Sequence, residues 1–109
     1  MAPNLIDTRN RNATWEEDDE GLLILVSGSS DPAYIAAALT GAIREGRRVR
    51  LRAIGASSVN QAVKAAAISR EQLASKLTLL LSPWFQTLWD ERTERTTTSM
   101  VLSVVVRTT

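Results

Sequence analysis

Hydrophobic positions follow two different periods along the chain. Leu22–Ser27 (LLILVS) is a continuous apolar run, as in a strand central to a sheet. Asp31 then offers an N-cap and Pro32 a first helical residue. Ile35, Ala38, Leu39, Ala42 and Ile43 recur at helical spacing until Gly46 stops the pattern. Over Arg48–Ile54 the period drops to two, with Val49, Leu51 and Ala53 on one face and Arg48, Arg50 and Arg52 on the other. Gly55 permits a tight turn, and Ser57 or Ser58 can cap the helix that follows. On that helix Val59, Ala62, Val63 and Ala66 share one face, and Asn60, Gln61 and Lys64 another. Lys76–Leu81 alternates again. Pro83 either ends regular pairing or marks a sheet edge. Ser99–Arg107 is the last strand, with Met100, Leu102, Val104 and Val106 facing inward.

The order β-α-β-α-β-β predicts a two-layer α/β domain, with helices over Pro32–Glu45 and Ser57–Ser69 packed on one face of a four-stranded mixed sheet. Residues 21–109 make up this domain. Residues 1–20 follow neither period and end in five acids, so they are expected to form a flexible acidic arm, with Trp15 free to dock nearby.

Composition narrows the chemistry. The 109 residues suit one domain, and 44% hydrophobic content suffices for one modest core. With no cysteine and no histidine, disulfides, thiolate chemistry and the commonest general base and metal ligand are excluded. No nucleophile–base pair or metal-loop spacing is visible, so no enzyme activity, metal or cofactor is expected. The longest apolar run is too short to cross a bilayer, and no basic segment with an apolar core opens the chain. A soluble cytoplasmic protein without membrane contact is expected. The net charge of +1 conceals an asymmetry: residues 1–20 carry −4 and residues 21–109 carry +5.

Residues 53–70, AIGASSVNQAVKAAAISR, resemble the signature of the stage V sporulation protein S family. That pattern is an Ala-Ile-Gly turn, then Asn-Gln-Ala-Val-Lys-Ala, then an end similar to Ile-Ala-Arg. A looser likeness extends over about Leu22 to Arg107. The resemblance implies an Alba-like fold, with the last strand antiparallel to the others. It also implies a non-enzymatic nucleic-acid-binding or regulatory module that works mainly through phosphate contacts. The alternative is an oligomeric protein-interaction or scaffold protein that uses the same surfaces between subunits.

Three regions carry the candidates. Arg48, Arg50 and Arg52 lie roughly 7 Å apart along one strand face, a spacing that suits either phosphates or carboxylate partners. By position in the Alba-like relatives, the resemblance implies contacts from Asn60, Gln61 and Lys64, and from a hairpin tip carrying Arg92 and Arg95. Trp84, Phe85 and Trp89 could stack bases or fill a subunit interface. Ile68 lies on a polar helix face, and with these aromatics it predicts a homodimer or larger assembly.

Overall fold

The computed structural model describes residues 13–108. Its elements run β1 (Ala13–Asp18), β2 (Gly21–Val26), α1 (Pro32–Arg44), β3 (Val49–Ala53), α2 (Ala56–Gln72), β4 (Leu77–Asp90) and β5 (Arg95–Thr108). The strands form one sheet in the order β1-β2-β3-β5-β4. β2 and β3 are parallel and the other neighbours antiparallel. Five strands replace the expected four. Residues 13–18 of the expected flexible arm are a strand paired with β2, and residues 1–12 lie outside the described residues.

Trp15 is the physical reason for the extra strand. It lies opposite Ile24, is only 5% exposed and packs on Tyr34 with ring centroids 6.1 Å apart. Burial of the indole ring favours ordering this otherwise acidic strand, although its Nε1 is buried without a hydrogen-bond partner among the described residues. Gly21 closes the β1–β2 turn at φ +104°. A Cβ there would stand 2.3 Å from the Arg48 carbonyl oxygen, so only glycine fits.

Both helices pack on the same sheet face. Leu22, Ile24 and Val26 of β2, Val49, Leu51 and Ala53 of β3, and Leu102 of β5 meet Ile35, Ala36 and Leu39 of α1 and Ala62, Ala65 and Ala66 of α2. Asp31 caps α1 as expected, its carboxylate accepting from the Ala33 amide at 3.0 Å. In α2 the cap differs from expectation. Gly55 is the N-cap and no side chain caps the first turn, because the helix begins at Ala56 and carries Ser57 and Ser58 inside it. Its buried stripe is Ser58, Ala62, Ala65, Ala66 and Ser69, and Val63 is exposed. These small side chains let α2 lie close to α1. There Thr40 Oγ1 and Ser69 Oγ share a buried hydrogen bond of 2.7 Å, and Thr40 Oγ1 donates to Gln72 Oε1 at 2.8 Å.

The chain beyond Pro83 continues as strand to Asp90, turns over residues 91–94 and returns as strand from Arg95. β4 and β5 pair without a break from Leu77–Thr108 to Asp90–Arg95. Pro83 sits on an edge strand, where its missing N–H costs no ladder bond, and the Trp, Phe, Leu and Thr residues beyond it favour β structure. β3 reaches only to Met100 of β5, so the hairpin end beyond that pair has no third strand alongside.

Candidate nucleic-acid interface

Register places Arg50 and Arg52 on the sheet face away from the helices. Arg50 faces Ser103 and Arg52 faces Val101, and Thr78 pairs with Arg107 on that same face. The stripe is present but not free. The acidic β1–β2 hairpin supplies its partners. Arg50 Nη2 donates to Asp18 Oδ1 at 2.7 Å and its Nη1 to Glu20 Oε1 at 3.4 Å, which leaves the Arg50 side chain 13% exposed. Arg47 is ion-paired with Glu17, and Arg48 Nη2 reaches the Asp19 carbonyl at 3.4 Å. The Arg50 hydrogen bond, seconded by the Glu20 amide, holds the Asp18 carboxyl below the usual carboxylate range. The side chain of Arg52, two residues farther along β3, makes no hydrogen bond or ion pair among the described residues.

The α2 candidates separate into two roles. Gln61 is partly buried and donates from Nε2 to the Ser30 carbonyl at 2.7 Å, tying α2 to the β2–α1 loop. Asn60 and Lys64 are exposed on the outer face of the helix. Ile68, expected on a polar helix face, is half-buried and packs against the core cluster.

The hairpin end holds the most exposed aromatic surface. Phe85 is 72% exposed and Trp89 60% exposed, and both lie on the helix-side face of β4. Trp84 points to the opposite face, where its Nε1 donates to Ser103 Oγ at 3.0 Å. Phe85, Thr98 and Met100 form one wall of a cleft of about 390 Å³, and Gly55, Ala56 and Val59 at the start of α2 form the other. Arg92 and Arg95 are exposed at the tip. Arg92 is loosely paired with Asp90 at 4.0 Å.

No group of three or more His, Cys, Asp or Glu residues able to hold a metal ion is present among the described residues. No helix is long and apolar enough to cross a membrane.

The architecture is that of an α/β domain whose distinguishing surface is a projecting aromatic hairpin beside the opening turn of α2. The model of the family described as Stage V sporulation protein S (SpoVS) matches residues 22–107, and the chain belongs to that family. Membership indicates a sporulation-related regulatory protein from a non-catalytic family. The match begins at Leu22, so the acidic strand β1 precedes it. Sequence reasoning located the arginine stripe but missed its partners. The one available signal was Trp15, a large apolar side chain ahead of the turn-forming Asp19-Glu20-Gly21.

Proposed function

We propose that the chain is a regulatory module that binds single-stranded nucleic acid between the β4–β5 hairpin end and the first turn of α2. The observation that carries this reading is the pair of exposed rings. Phe85 and Trp89 stand four residues apart on one strand face, about 13 Å along the strand. Soluble domains seldom leave two large aromatics open to water, and bases stack on such rings for about 1–3 kcal/mol each. The first turn of α2, which no side chain caps, borders the same cleft, and in this reading the exposed Asn60 and Lys64 on α2 and Arg92 and Arg95 at the hairpin tip would add polar and cationic contacts along a longer strand. The body formed by β2–β5 and the two helices is the Alba-like part in this reading, with β1 added to it. Arg48 and Arg50 play a smaller part than their spacing implies, because the acidic hairpin already engages them.

Titration with oligodeoxythymidine and oligouridine, read by tryptophan fluorescence and anisotropy across a salt series, tests this. Phe85→Ala and Trp89→Ala should each weaken binding by about tenfold or more without lowering thermal stability. Lys64→Ala should reduce the salt slope by about 0.7. Absence of salt-sensitive binding to either oligomer would overturn the reading.

A second reading is favoured by a separate observation. Leu80, Trp84 and Val105 are exposed on the sheet face that carries no helix, along the edge strand β4 and its neighbour. Self-association through this side would cover them. Light scattering at micromolar concentration separates the two readings, since nucleic-acid binding on the helix side does not require a second copy.

A further inference from the structure

Arg52 differs from its neighbours in the stripe. Arg47 and Arg50 are ion-paired, whereas the side chain of the half-buried residue Arg52 has no hydrogen-bond or ion-pair partner among the described residues. An unpaired guanidinium keeps all its N–H donors available to an anion. Arg52 lines a cleft of about 330 Å³ where the parallel strands β2 and β3 end, together with Leu25, Ser27, Ile54, Ser58 and Leu88. Ser58 borders this cleft, and its hydroxyl is the polar group on the α2 side of the wall. Leu25, Ile54 and Leu88 make the rest of the wall apolar. The cleft also lies beyond the carboxyl ends of parallel strands, the usual position of ligands in open α/β sheets. Its volume falls at the small end of the range for metabolite pockets.

We infer that this cleft is a binding site for a small amphipathic anion, a carboxylate or phosphate monoester on a compact apolar or aromatic body. The anionic group would meet Arg52 and the Ser58 hydroxyl, and the apolar body would lie against Leu25, Ile54 and Leu88. The site is distinct from the groove at Phe85, which lies on the helix side of the same hairpin.

The test uses the full chain, isotopically labelled, in two-dimensional amide NMR titrations. The probes are phenyl phosphate and benzoate, with phenol and inorganic phosphate as controls. Saturable shifts at Leu25, Ser27, Ile54 and Ser58 are expected with at least one of the aromatic anions. Phenol and inorganic phosphate should each bind about tenfold or more weakly, the loss of a charge-assisted bond or of apolar burial. Comparing phenyl phosphate with benzoate distinguishes a phosphate from a carboxylate preference. Arg52→Met should cost the anion about tenfold, and Arg52→Lys should recover part of it. No saturable shift with either anion, equal affinity for phenol, or unchanged affinity in Arg52→Met would overturn the proposal. The comparison of probes on the unaltered protein stands even if a variant fails to fold.

Discussion

Asp18 on β1 and Arg50 on β3 meet across the strand between them, with Oδ1 and Nη2 2.7 Å apart. In the hairpin register Asp18 faces Gly21, so no β2 side chain stands directly between the carboxylate and β3. Glu20 approaches the same guanidinium at 3.4 Å, and Glu17 pairs with Arg47. The acidic end of the chain and the basic stripe thus form one electrostatic unit.

That unit gives stability an acid limb. Asp18 is held below its ordinary value of 3.8, first by the Arg50 hydrogen bond and then by the Glu20 amide. Its folded form therefore binds fewer protons than its unfolded form over the interval between the two pKa values. The contribution is fully present above that ordinary value and disappears as pH falls through the folded one. Urea midpoints for the wild type and Asp18→Asn should differ at about pH 6 and converge in strong acid. Parallel curves at all pH values would show that Asp18 does not contribute in this way.

Neutralising the clasp should expose the arginines. In the triple variant Glu17→Gln, Asp18→Asn, Glu20→Gln, Arg50 loses both carboxylate partners, Arg47 loses Glu17 and keeps Glu45 at 3.5 Å, and the chain loses three negative charges. Affinity for oligodeoxythymidine should rise at low ionic strength, and salt should erase the gain. Equal affinity of the two proteins at low salt would mean that the hairpin shields nothing.

Gly21→Ala should be among the more damaging small changes. The added Cβ would lie 2.3 Å from a backbone oxygen, on a residue at φ +104°. A cost of about 1–3 kcal/mol is expected in denaturant unfolding, together with faster amide exchange in β1. A loss below a few tenths of a kcal/mol would show that the turn adjusts freely.

Thr40→Val should uncouple the helices at little cost in shape. It removes the hydroxyl that meets Ser69 and Gln72 and leaves the buried Ser69 without that partner. The expected cost is about 1–3 kcal/mol. In the double variant with Ser69→Ala the loss should be less than additive, and a strictly additive double-mutant cycle would rule out the coupling.

The body of the fold was legible because its signals are local. The apolar run of β2, the Asp31-Pro32 start of α1 and the alternation of Val49, Leu51 and Ala53 each follow from a period or a cap. β1 was not legible as a strand from charge density, because one long-range contact, Trp15 in the core, outweighs five acids in sequence. α2 misled in a related way. Val63 fits the helical period, but the helix buries a stripe so narrow that alanine and serine fill it. In the site, spacing identified Arg48, Arg50 and Arg52 but could not reveal which carboxylates the topology brings alongside. The exposure of Phe85 and Trp89 likewise depends on where β3 ends, which no residue near them encodes.

The two borders of the sheet differ in what they permit. At one border, β1 and its turn present Glu16, Glu17, Asp18, Asp19 and Glu20, so a second copy brought edge to edge there meets like charge. At the other, β4 is long and carries its single interruption at Pro83. A fibre of stacked sheets must grow from both borders of every copy. Pairing of β1 with β1 is opposed by like charge, whereas pairing of β4 with β4 meets no such charge and closes at two copies in a two-fold arrangement. The short acidic strand thereby bars one of the two symmetric edge pairings, whatever it does for the arginines beneath it.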